Sequence, residues 1–155
     1  MNARILQDAL VSDLRVLFQD RRYKTPGGDD AALSVFPQLL PKRVSENDDD
    51  PFPYIIVRID SGDIESQTDP CKVSVFILIG IYDDDAANQG HRAVMEIMEV
   101  IQQHYEENPL LDKQFTFTDP FHWALQDEES YPYFFGGIEI TFKLPAPRRK
   151  WSNLV

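Results

Sequence analysis

Residues 72–82 read Lys-Val-Ser-Val-Phe-Ile-Leu-Ile-Gly-Ile-Tyr, and the fold is decided by this stretch. Val73, Val75, Ile77, Ile79 and Ile81 fall on one side of an extended chain, and Ser74, Phe76, Leu78, Gly80 and Tyr82 on the other. The first side is wholly branched-aliphatic and the second is mixed. That pattern predicts a central strand with helices packed on the aliphatic side and a partly covered surface opposite. At about 3.3 Å per residue the stretch spans roughly 36 Å, about twice a usual strand, so part of it is expected to project beyond the body.

Working outward, Tyr54 to Asp60 alternates Ile55, Val57 and Ile59 with Tyr54, Ile56 and Arg58. This is a second strand, expected to pair antiparallel with the first. Ser61-Gly62 and Asp69-Pro70 bracket the connection, which makes the pair a long hairpin with Asp63 and Ile64 near its tip. Such an arm exposes strand edges and apolar side chains unless another subunit covers them.

Upstream, Met1 to Asp20 reads as a helix, with Leu6, Leu10, Leu14 and Leu17 forming a stripe that Ile5, Ala9 and Asp13 flank. Gln7, Ser12, Arg15 and Gln19 fall away from it. Pro26-Gly27-Gly28-Asp29-Asp30 opens an irregular connection that runs from Arg21 to Pro53, with Val35 to Leu40 as an edge strand confined there by Pro37. Downstream, Asp83, Asp84 and Asp85 precede a helix from about Ala86 to Tyr105, where carboxylates suit the free N–H groups of a first turn. Val94, Ile97, Met98, Ile101 and Tyr105 form its apolar stripe, and Gly90 is read as allowing close approach to the sheet. Phe115 to Thr118 and Phe121 to Gln126 read as two short strands separated by Asp119-Pro120. Tyr133 to Leu144 is a last long strand that Gly136-Gly137 is expected to bulge. The fold class is therefore α+β: two helices packed on one face of a largely antiparallel sheet, with a long projecting β-hairpin. Residues 1–147 are read as one domain and residues 148–155 as a basic C-terminal tail.

Of the 155 residues, 43% are hydrophobic and 12% aromatic, enough for a real core. A net charge of −11 argues against a free-standing nucleic-acid or anionic-membrane binder. Cys71 is the single cysteine, so no intramolecular disulfide forms, and a soluble chain made in a reducing interior is expected. No apolar run reaches the length of a membrane span.

Motifs for catalysis are missing. There is no G-x-S-x-G, no G-x-x-x-x-G-K and no G-x-G-x-x-G. The acidic groups Asp48–Asp50, Asp83–Asp85 and Asp127–Glu129 lack the alternating ligand spacing of a calcium loop and read as caps and solvated turns. His91 and His104 stand on widely separated sides of one helix, and His122 reads as a strand residue with one satisfied nitrogen. No metal, cofactor or catalytic residue is expected.

Candidate interface residues are easier to find. Arg148, Arg149, Lys150 and Trp151 combine charge with an aromatic ring beside an acidic body, and three cations neutralise too few phosphates to grip DNA. They read either as a solvated, frayed terminus or as an extension that docks on an acidic protein surface, with Trp151 as anchor. In Tyr131-Pro132-Tyr133-Phe134-Phe135 the rings are too many for one small core, so Tyr131 and Tyr133 are candidates for a subunit interface, with Asp63 and Ile64 at the hairpin tip.

Pro51-Phe52-Pro53-Tyr54-Ile55-Ile56-Val57-Arg58, Ile81-Tyr82-Asp83-Asp84-Asp85, Gly90-His91-Arg92 and Tyr131-Pro132-Tyr133-Phe134-Phe135-Gly136 before Glu139-Ile140-Thr141-Phe142 together resemble the tail terminator, or tail-completion, proteins of long-tailed bacteriophages and related contractile particles. The resemblance covers about Tyr54 to Arg149. It implies a small α+β subunit that forms a homohexameric ring at the head-proximal end of a tail, stops tube polymerisation and offers a docking surface for the head connector. It implies no catalysis and no cofactor. The implied partners are further copies of itself, the tail tube protein, a head connector or stopper protein and, in a contractile tail, the sheath protein. DNA would at most pass through, no membrane is involved, and the place is the virion tail or neck after assembly in the host cytoplasm. A head–tail joining (stopper or neck) protein is the alternative, and a small host enzyme or ligand-binding domain is the second.

Overall fold

The computed structural model describes residues 2–45, 50–66 and 69–146. Asp48 and Asp49 lie outside the described residues, as do the tail candidates Arg148, Arg149, Lys150 and Trp151. In chain order the elements are α1 (Ala3–Leu17), β1 (Tyr23–Lys24), β2 (Asp30–Ala31), β3 (Ser34–Pro37), β4 (Tyr54–Asp63), β5 (Lys72–Tyr82), α2 (His91–Glu107), β6 (Leu110–Leu111), β7 (Phe115–Leu125) and β8 (Tyr133–Lys143). β1 and β2 form a small antiparallel pair. The other six strands make one sheet in the order β3-β4-β5-β8-β7-β6, antiparallel except for β3 beside β4.

Both helices lie on the aliphatic side of β5. Val73, Val75, Ile77, Ile79 and Ile81 are each at most 2% exposed and pack with Leu6, Leu10 and Leu14 of α1 and with Val94, Ile97 and Ile101 of α2. Ile55 and Val57 of β4 and Ile138, Ile140 and Phe142 of β8 complete this core. Burying a Leu, Ile or Phe side chain contributes about 1.5–3 kcal/mol each. The single continuous aliphatic layer is therefore what holds helices to sheet.

The hairpin β4–β5 runs to the pair Asp63–Lys72, and β4 is exposed from Asp60 onward. β5 stays flanked by β8 down to Lys72–Lys143, so the projecting part is the end of β4 and the connection after it. A register shift between Ile59 and Ser61 makes Asp60 an extra residue there.

Several expectations change in detail. Asp83, Asp84 and Asp85 are not in the first turn of α2, which begins at His91; instead Asp83 accepts from the N–H of Asp85, and Asp85 from the N–H of Ala87, in a capped loop. The two short strands around Asp119-Pro120 are one strand, β7, which passes its bulge with a cis Asp119–Pro120 bond and keeps pairing to β8. Gly136-Gly137 does not bulge: the β5–β8 register is unbroken, and Gly136 instead lets α2 approach, since a Cβ there would lie 2.5 Å from Val94 Cγ1. The Arg21–Pro53 connection holds three short strands, β1 to β3. Gln7 and Arg15, expected to point away from the core, reach the β3–β4 region, and Val11 joins the buried stripe.

Candidate interaction surfaces

The face of the sheet opposite the helices carries Ile56, Phe76, Leu78, Tyr82, Tyr133 and Phe135. No helix covers it. Its apolar side chains cluster toward the end where β8 begins. Phe52 stands 4.9 Å from Tyr54, 4.7 Å from Tyr133 and 5.8 Å from Phe135 between ring centroids, and Tyr82 stands 5.7 Å from Tyr133. Tilted and edge-on rings at these separations hold one another in fixed positions. Tyr54 also fits into the space left by Gly80, where a Cβ would overlap the phenol ring.

The two edges of the sheet are treated differently. On the β3 side, the Val35 carbonyl accepts from Arg15 Nη2 at 2.9 Å, and Pro37 has no N–H to offer. Gln38 then closes the next position of β4: its Nε2 donates to Ile59 O at 3.2 Å and its Oε1 accepts from Ile59 N–H at 3.0 Å. A side-chain amide thus takes the place of a strand residue. On the other side, β6 pairs with β7 only at Leu110–Thr116 and Leu111–Phe115, with Phe117 N–H donating to Pro109 O just beyond. From Thr118 to Leu125 the outer edge of β7 has no strand partner among the described residues. Trp123 sits on that edge, 57% exposed, above a cleft of about 150 Å³ that Met95, Met98, Glu99, Gln102 and Phe121 line with it.

The sequence-selected residues do not form one site. Tyr133 lies in the ring cluster, and Tyr131, 44% exposed, donates its hydroxyl to Asp84 O at 2.5 Å beside the loop before α2. Asp63 and Ile64 are at the opposite end of the hairpin, where Ile64 is 49% exposed. Of the aromatic run, only Phe134 enters the core. Sequence reasoning misses Trp123 and the open β7 edge because a strand with an inserted Pro120 reads as two fragments, and fragments have no edge to assign.

Several groups able to do chemistry make structural contacts instead. Asp13 Oδ2 meets both His104 Nε2 and the Tyr105 hydroxyl at 2.8 Å, tying α1 to α2. Burial, and then the Asp13 charge, push the Tyr105 phenol well above its ordinary pKa. No Ser, Thr or Cys side chain bonds to the His104 ring among the described residues, so the cluster has no nucleophile to activate. Cys71 is buried against Gly62. His122 lies on β7 as a strand residue, exposed, and among the described residues no protein group bonds its ring. Among the described residues no three His, Cys, Asp or Glu side chains gather to hold a metal ion. Among the described residues no helix is long and apolar enough to cross a membrane. The chain matches no family model and no curated protein.

Proposed function

We propose that this protein is a structural subunit of a phage or phage-like tail, a tail terminator that forms a ring on the head-proximal end, ends tube polymerisation and presents a docking surface to the head connector. The observation that carries the proposal is the contrast between the two faces of one sheet. The helical side buries the aliphatic row of β5 almost completely, while the opposite side leaves Phe76, Leu78, Tyr133 and Phe135 partly exposed, and the outer edge of β7 has no strand partner among the described residues. Apolar faces and open edges of this kind are covered in proteins built to assemble. The order of hairpin, helix and long strands from Tyr54 onward also fits the resemblance.

The surface charge supports the same reading. With −11 overall, a channel lined by such subunits repels DNA phosphates and lets the duplex pass. The test is to measure the size of the purified protein and then mix it with tail tube subunits. A ring that caps tubes and limits their length is expected. A protein that stays monomeric when concentrated and leaves tubes unaltered overturns the proposal, and binding to the portal side alone would favour a neck protein. Shortening the connection between Asp63 and Lys72 should spare the fold and weaken the ring.

A further inference from the structure

The cleft beneath Trp123 is walled by Met95, Met98 and Phe121, with one carboxylate, Glu99, and the Gln102 amide among its lining. Met95 and Met98 supply flexible, polarizable walls that suit an aromatic ring. Glu99 stands beside them and makes no ion pair among the described residues. On the same helix Glu96 is already paired with Arg21 at 2.8 Å, so Glu99 is the carboxylate that lines the cleft without a cation among the described residues. A fitting occupant is a large flat ring with a cation beside it.

This chain contains such a segment. Arg148-Arg149-Lys150-Trp151 is its most concentrated run of cations, and without those three charges the net falls from −11 to −14. We infer that residues 147–155 of one copy dock on a neighbouring copy, with Trp151 in the Met95–Met98–Trp123 cleft and Arg148 or Arg149 on Glu99. The inference rests on the ring reading above, since it needs neighbouring copies.

Direction favours another copy as the source of the occupant. Trp123 pairs with Ile138, and β8 runs away from that point to Leu144, whose N–H still donates to Cys71 O at 2.8 Å. Six residues of strand are about 20 Å. To return to its own cleft the chain beyond Leu144 would have to reverse and spend nearly all of the roughly 25 Å that the seven residues to Trp151 span when fully extended. A cleft on a subunit placed beside the exit is met without that reversal.

The open β7 edge next to the cleft strengthens the docking. Residues alternate along a paired strand between facing the partner and facing outward; Gln126 N–H donates to Phe135 O, so Trp123 and Leu125 direct their backbone groups outward. An extended tail lying along this edge gains main-chain hydrogen bonds while Trp151 is held by the cleft.

The experiment uses the full chain. Glu99→Cys and Arg149→Cys are made in separate chains, mixed in equal amounts and oxidised mildly, with the buried Cys71 common to both. The expected product is a disulfide-linked pair joining one chain of each kind, in clear excess over either variant alone. A link that forms only within a doubly substituted single chain, or no link at all, overturns the inference. A charge exchange is the independent measurement: Glu99→Arg or Arg149→Glu alone should weaken self-association by about tenfold, and the two together should restore it. No restoration overturns the assignment of this pair. If the links form while tail tubes remain uncapped, the docking stands and the terminator reading falls. Capped tubes without links leave the terminator reading standing and overturn the docking.

Discussion

The Tyr105 hydroxyl donates to Asp13 Oδ2 at 2.8 Å, joining the last turns of α2 to the third turn of α1 above a shared core. Tyr105 is 1% exposed, so its hydroxyl is shielded from water, while the Asp13 side chain keeps 30% of its surface. His104 reaches the same carboxylate oxygen from the adjoining position. One carboxylate therefore fixes how the two helices sit side by side on the sheet.

That arrangement predicts an alkaline weakness. Burial raises the Tyr105 pKa in the folded state above its unfolded value of about 10. For a folded pKa that is raised, the stabilisation is complete below the unfolded value and is lost as pH climbs above it. Unfolding free energy should thus hold up to about pH 10 and fall beyond it, and Tyr105→Phe should flatten the fall while costing about 1 kcal/mol at neutral pH. Urea titrations at several pH values measure both. Asp13→Ala should cost more, about 1–3 kcal/mol, because it leaves the buried hydroxyl without an acceptor.

Gly90 is required by Phe134. A Cβ at position 90 would run into the Phe134 ring at Cδ2, and that ring is only 9% exposed. The backbone there has φ −63°, which any residue accepts, so the conflict is purely one of space. Gly90→Ala should destabilise by about 1–3 kcal/mol. In a Phe134→Ala background the same change should cost much less, a non-additivity that thermal unfolding of the four proteins detects.

Neighbouring residues on β5 should respond oppositely to the same charge. Ile77→Asp buries an unpaired carboxylate among the helices and should abolish cooperative folding, at a cost of several kcal/mol. Leu78→Asp puts it on the helix-free face, so the subunit should still fold but assemble poorly. Circular dichroism and sedimentation distinguish the two; a well-folded Ile77→Asp protein would mean that the faces are reversed.

Gln38 should guard one amide in particular. Its side chain supplies both hydrogen-bond partners of Ile59 that a strand would have supplied. Gln38→Ala should cost about 1–2 kcal/mol and speed hydrogen exchange at the Ile59 N–H far more than at Ile55, which β3 still covers.

Alternation in residues 54–60, 72–82 and 133–144 is enough to give three strands, the pairing of the first two and the side on which helices lie, because a strand with one aliphatic face has only one way to bury it; that the third lies beside the second came from the tertiary structure. Leucine spacing places α1, and the stripe from Val94 to Tyr105 places α2. Both are local periodicities, and local periodicity is written in neighbouring residues. What the sequence could not determine depends on residues far apart in the chain. Gln38 closing β4 at Ile59, Arg15 capping Val35 and Asp13 holding Tyr105 are pairings between polar groups whose partners no spacing rule names. Pro120 reads as a break because proline removes an N–H, yet β8 holds β7 in register on both sides of the bulge. The sheet order follows from that: β7 beyond β8, with an uncovered edge and Trp123 over a cleft of α2. Whether an apolar ring ends in the core or on an open edge is decided by which strand lies next to it, and that is a property of the assembled sheet alone.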